Sequence, residues 1–390
     1  MRIVAVREKS VPLQERISNA YIDFSAMTVS VVAVVTDAVV DGRPVVGHGF
    51  NSNGRYAASG LLRERFIPRL LRAAPSELLD GSGANIDPLR ARDVLMRDEK
   101  PGGHAERTVA VAVLDMALWD IVAKIERRPL YALLAERYRR APADADVAVY
   151  AAGGYYAPGK DRRALQDELG RYLALGYTAV KMKIGGAPLD EDRRRIEAAL
   201  DVVHEGAALA VDANGRFDEP TALAYADALA PYGLRWYEEP GDPLDFALSA
   251  AVAERYHSPL ATGENLFSLQ DARNLIRYAG LRADRDILQF DPALAYGLVE
   301  YLRIVEMIEA HGWSRRRLVP HGGHLFALHI AAGLGLGGNE SYPDVFRPFG
   351  GFADDIPVSG GRVRPPDVPG IGHETKADLY QVLRDVTGDV

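Results

Sequence analysis

The polarity pattern changes character along the chain. Over residues 1–50, apolar and polar positions alternate in IVAVRE, MTVSVVAVVTD and PVVGHGF, with Asp41-Gly42 between the last two. Side chains that point to opposite faces in turn predict strands, and Asp-Gly predicts a hairpin. A helical period follows, most extended over residues 104–138, and Pro129 interrupts it. An antiparallel α+β domain is expected over residues 1–140. From residue 147 the texture becomes short apolar runs separated by amphipathic helical stretches such as RRRIEAALDVVHE and EYLRIVEMIEAHG. The predicted strands are VAVYAA (147–152), TAVKMK (178–183), LAVDAN (209–214), LRWYEE (234–239), LATGEN (260–265), ILQFD (287–291) and RLVPH (317–321).

Six polar residues stand at or beside the C-terminal ends of six of these runs: Lys183, Asp212, Glu238, Glu264, Asp291 and His321. Their spacing of about 26–30 residues matches one βα unit of an eight-unit barrel, and the C-terminal edge is where such barrels build active sites. No GxGxxG opens a helix, which argues against a doubly wound dinucleotide fold. Singly, each acid has an ordinary reading: Asp212 as a turn residue, Glu238 and Glu239 as a solvated pair, Glu264 as an acid favoured at a helix N-terminus. Together, three converging carboxylates repel one another unless a cation lies between them. Oxygen-only donors suit a hard divalent ion such as Mg²⁺. In the Glu238-Glu239 doublet, alternation places the two on opposite faces, and Glu238 is taken as the ligand.

Composition changes this picture by exclusion. The 390 residues hold no cysteine, so disulfides and thiolate metal sites are absent, as in a reducing, cytoplasmic setting. A formal net charge of −8 and the lack of a basic stripe argue against nucleic acid, and no apolar run is long enough to span a membrane. Any anionic substrate needs local cations. Lys181 and Lys183 alternate onto one face of their strand; a neighbouring cation and partial burial would lower the pKa of Lys183 and make it a general base, with Lys181 binding a substrate carboxylate. Asp291, one unit before His321, would fix its tautomer and raise its pKa, giving a general acid. His321, His324 and His329 lack the HExxH zinc pattern.

VKMKIGG, VDANGRF, YEEP, TGEN, QFD and PHGG, with the helix DMALWDIVAKIERRPLYALL, resemble the mandelate racemase branch of the enolase superfamily. The stretches SNAYIDF, GFNSNGRY, EKPGGH, YAAGGYYAPGK and GLGLGGNESYPD resemble the D-tartrate dehydratases within it. The resemblance implies a modified TIM (β/α)7β barrel over 141–349, a capping domain over 1–140, and a segment 350–390 that packs back on the cap. It implies a homo-oligomeric lyase with one Mg²⁺ per subunit on Asp212, Glu238 and Glu264. Lys183 would abstract an α-proton and His321, paired with Asp291, would protonate the departing β-hydroxyl, converting D-tartrate to oxaloacetate or dehydrating another acid sugar. Asn19, Asn53, Lys100, Tyr156, Lys181 and Glu340 would contact the substrate. Without the resemblance, Asn19 and Asn53 read equally as turn residues and Lys100 as a plain loop lysine. Cycloisomerase relatives carry a lysine where this chain has Asp291. A Schiff-base aldolase and an inactive binding barrel are the competing readings, and borohydride trapping separates the first of them from a lysine base.

Overall fold

The computed structural model describes residues 1–13 and 15–388. Strands β1 (Ile3–Pro12), β2 (Thr28–Val40) and β3 (Arg43–Phe50) form an antiparallel sheet in that order, with the expected turn at Asp41-Gly42. The helix Glu106–Ile125 lies on this sheet, buried almost throughout. Two glycines set the approach: a Cβ on Gly47 would sit 2.0 Å from the Ala117 carbonyl oxygen, and one on Gly49 would sit 2.1 Å from that of Val113. No side chain fits there, which is why the second half of β3 reads Gly-His-Gly.

The second sheet is parallel and curls into a barrel. Its strands are β4 (Val147–Ala152), β5 (Val180–Lys183), β6 (Leu209–Asp212), β7 (Trp236–Glu238), β8 (Leu260–Thr262), β9 (Ile287–Leu288) and β10 (Asn339–Ser341), ordered β10-β4-β5-β6-β7-β8-β9. Residues 318–320 close the gap: Leu318 bridges Leu288, while Gly337 N donates to Leu318 O at 2.9 Å and Glu340 N to Pro320 O at 3.3 Å. The fold is a modified TIM barrel with an α+β cap. One predicted strand needs correction, and one observed strand was not foreseen. RLVPH is not a strand, because only Leu318 completes a ladder pairing before the chain turns at Gly322. The strand β10 lies in a glycine-rich stretch whose β character comes from pairing with β4 rather than from its own side chains.

The C-terminal segment returns to both sheets. Strand β11 (Arg362–Val363) pairs antiparallel with β4, and the helix Ala377–Thr387 packs on β2, where Thr387 Oγ1 lies 2.8 Å from His48 Nε2. Fully buried Asp120 pins this return. It accepts from His48 N at 3.1 Å, Ile371 N at 2.9 Å and Lys124 Nζ at 2.7 Å, joining helix, sheet and C-terminal segment. Among the described residues no helix is long and apolar enough to cross a membrane.

A second acid of the same helix joins cap to barrel. Asp115 Oδ2 accepts from Leu298 N at 2.5 Å, at the start of the barrel helix Leu298–Ala310, and Gly297 (φ 92°) leaves the space its carboxyl group fills. Burial, against the pull of the Leu298 amide and Arg92, raises the Asp115 pKa to about 7. The folded state therefore binds a proton that the unfolded chain releases near pH 4. This contribution to stability is complete below about pH 4 and is lost as the pH rises through 7. Relative to Asp115→Asn, the wild-type protein is expected to lose up to a few kcal/mol between pH 4 and 7, read from urea midpoints at each pH. A pH-independent difference would contradict this assignment.

Candidate active site

Register brings the first three site residues into one row, since Lys183 pairs with Asp212 and Asp212 with Glu238 at the C-terminal ends of β5, β6 and β7. Glu264 follows β8 after Gly263 (φ 125°), Asp291 follows β9, and His321 precedes Gly322 (φ 103°). One oxygen each of Asp212, Glu238 and Glu264 lie within 4.8 Å of one another, and all three residues are buried. Asp212 accepts from Asn214 N at 2.8 Å, and Glu238 Oε2 accepts from Trp236 Nε1 at 2.7 Å and Gln289 Nε2 at 2.8 Å. Glu264 Oε2 is buried with no hydrogen-bond partner among the described residues, and three oxygen donors around one point are the set a hard divalent cation takes. The trio fits Mg²⁺.

Charge is unevenly shared here. Burial, with Asp212 nearby, raises the Glu238 pKa to about 8, against the pull of Lys181. Burial opposes the ionisation of Asp212 as well, but Lys183 and Lys181 prevail and hold it below the usual carboxylate range. Too many carboxylates face too few positive charges, which is the electrostatic complement of a dication.

The lysines depart from expectation. Burial works against the charge of Lys183, yet contact with Asp212 holds its ammonium well above the ordinary lysine range rather than below it; Lys181 acts in the predicted downward direction but is outweighed. Lys181 does not line the cavity. Its ammonium lies 2.5 Å from Glu238, 2.8 Å from Glu340 and 3.5 Å from Asp212, so carboxylates occupy the position expected for a substrate anion. Glu340 is likewise sealed beneath the floor, accepting from Gly322 N at 3.0 Å and Tyr342 OH at 2.9 Å. His321 meets expectation in geometry: Nδ1 is 2.8 Å from Asp291 Oδ2, whose other oxygen accepts from Ala293 N at 2.7 Å. Burial disfavours the imidazolium, but Glu264, Glu340 and Asp291 raise its pKa to about 10.

A cavity of about 320 Å³ opens over these groups, lined by Lys183, Glu264 and His321 from the barrel and by Asn19, Asn53 and Arg55 from the cap, among others. Asn19 reaches the cavity but also takes its turn role, accepting from Tyr21 N at 2.8 Å and Ile22 N at 2.7 Å. Asn53 Nδ2 donates to Tyr342 OH at 3.3 Å. Tyr156 does not face the cavity: its hydroxyl donates to Asp192 at 2.8 Å, and the preceding Tyr155 lies against Lys183 instead, 5.0 Å from ring centroid to Nζ. Lys100 is exposed and outside the cavity lining. Glu239 is not turned to the opposite face, because a left-handed backbone (φ 39°) ends the strand there and swings its carboxylate back to Asn265 Nδ2, at 3.0 and 2.9 Å. Sequence reasoning missed Arg55, Tyr155, Asn265 and Tyr342. All four lie within stretches that attracted attention, but nothing in their spacing distinguishes them from their neighbours.

The fold is that of the enolase superfamily: residues 164–379, more than half of the chain, match the enolase C-terminal domain-like family, and the chain belongs to it. Arabinonate dehydratase of Saccharolobus solfataricus is 31% identical over 290 residues, which cover 70% of this chain and 73% of that protein. A racemase from Streptomyces coelicolor A3(2), crystallised with bound magnesium, superposes with a TM-score of 0.78 at 26% identity, covering 98% of both chains. L-talarate dehydratase from Polaromonas sp. JS666, complexed with Mg and L-glucarate, gives a TM-score of 0.74 at 26% identity, covering 95% of this chain and 94% of that one.

Proposed function

We propose that this enzyme is a Mg²⁺-dependent acid-sugar dehydratase, removing the proton α to a carboxylate and expelling the β-hydroxyl. The observation that supports it is the convergence of Lys183, His321 and the acid trio on one cavity. Asp212, Glu238 and Glu264 would hold the ion, which when bound stabilises negative charge developing on the substrate carboxylate and draws charge from Asp212, loosening its hold on Lys183. Lys183, once neutral, accepts the α-proton at Nζ. His321, charged and oriented by Asp291, passes its Nε2 proton to the β-hydroxyl, which leaves as water. The resulting enol tautomerises to a 2-keto acid. Lys181 acts through the carboxylates it binds, keeping Glu238 and Glu340 in place.

The relatives above are a dehydratase of arabinonate, a dehydratase of L-talarate and a racemase, which supports the acid-sugar class more than any one member of it. D-tartrate, to which the loop stretches point, is one candidate within that class. Incubating the purified protein and Mg²⁺ with tartrate stereoisomers, aldonates and aldarates is expected to release a 2-keto acid from at least one. Exhaustive chelation should abolish turnover and added Mg²⁺ should restore it. Full turnover by metal-stripped protein would overturn the reading.

A further inference from the structure

We infer that Arg55 makes this enzyme selective for acid sugars that carry a carboxylate at both ends. The inference rests on the acid-sugar reading above and narrows it. Arg55 follows β3 and enters the same cavity as Lys183 and His321. Its guanidinium donates to Asn265 Oδ1 at 2.6 Å and to Gly54 O at 3.1 Å, and lies 4.9 Å from the centroid of the Phe267 ring. All of these partners are neutral. Among the described residues no carboxylate forms an ion pair with it, in contrast to Lys181, which is wrapped in three.

A half-buried cation fixed on a cavity wall by neutral groups keeps charge-assisted N–H donors for an anionic ligand, and the planar fork of arginine suits a carboxylate. The reacting carboxylate is already provided for at the acid trio, so this cation answers a second one. Asp242, the acid of the wall outside the trio, takes the Leu244 amide at 2.8 Å and would repel a carboxylate placed beside it. That leaves the Arg55 wall to receive the far end of the substrate. A volume of about 320 Å³ lies at the small end for ligand sites, which suits a short polyhydroxy diacid.

Arg55 could instead serve only to hold Asn265, which touches Glu239 and Glu264. The two roles part in selectivity. Wild type, Arg55→Leu and Arg55→Lys are compared in Mg²⁺ for kcat/KM on aldarates and tartrates against aldonates. The expected result is a diacid preference that falls about 100-fold in Arg55→Leu, mainly through KM, and is partly restored in Arg55→Lys. Equal losses on both classes, or a wild-type preference for monocarboxylates, would overturn the inference. Calorimetry reads the same preference without turnover, using Lys183→Ala and the Lys183→Ala/Arg55→Leu double variant with Mg²⁺ present. Tighter binding of diacids that disappears in the double variant sustains the inference even where no acid of the panel is dehydrated, an outcome that sinks only the dehydratase reading. Equal binding of both classes overturns the role of Arg55 itself.

Discussion

Lys183→Ala is expected to abolish two reactions at once: release of the 2-keto acid and exchange of the substrate α-proton with D₂O. Both begin with the same proton transfer, and general-base removal alone costs about 10²–10⁴-fold. Tyr155, the nearest aromatic neighbour, cannot replace it, because burial lifts its phenol far above neutral pH. His321→Asn should separate the two reactions. It leaves Lys183 and the acid trio untouched but removes the proton donor for the hydroxide, so keto-acid formation should fall by a similar factor while α-deuterium exchange, followed by NMR, persists. A Lys183→Ala enzyme that exchanges at near wild-type rate would remove the lysine from the mechanism. A His321→Asn enzyme that dehydrates normally would do the same for the histidine.

Asp120→Ala should be the most damaging change far from the site, lowering unfolding free energy by about 3–5 kcal/mol, read from urea midpoints with the slope checked for two-state behaviour. The substitution strips acceptors from two backbone amides, His48 N and Ile371 N, and leaves Lys124 without its carboxylate. Asp120→Asn retains an acceptor oxygen and should lose less. Asp227→Ala, which breaks the exposed pair with Arg255, sets the contrast with little or no shift of the urea midpoint, since solvent and side-chain entropy already discount that pair. Equal losses at positions 120 and 227 would contradict the role assigned to burial.

The barrel was legible because its signal repeats: an acid or base stands at or beside the end of six of the seven apolar runs at nearly constant spacing, and that spacing is the length of one βα unit of a barrel. The identity of Asp212, Glu238, Glu264, Asp291 and His321 as a group followed from that period. What failed to show depends on backbone turns rather than on periodicity. The left-handed step at Glu239 defeats alternation, and YY at 155–156 gives no hint of which ring meets Lys183. The Lys183 ionisation was misread because a neighbouring lysine is visible in sequence, whereas contact with Asp212 exists only once β5 and β6 pair in register. Asp115 and Asp120 look out of place in an apolar helix, but in the fold they tie it to the barrel and to the C-terminal segment.

The return of the helix Ala377–Thr387 to β2 has a consequence for how the chain is made. The cap's sheet and long helix are translated before the barrel, yet Asp120 waits for the Ile371 amide and His48 for Thr387 until the whole barrel has been translated. The cap is therefore a high-contact-order unit whose contacts span the barrel, and until residues 371–387 leave the exit tunnel Asp120 lacks its Ile371 partner and the face of β2 that the helix Ala377–Thr387 covers stays open to water. Nascent chains stalled within the barrel should be the species that chaperones engage, with cap closure following completion of the barrel.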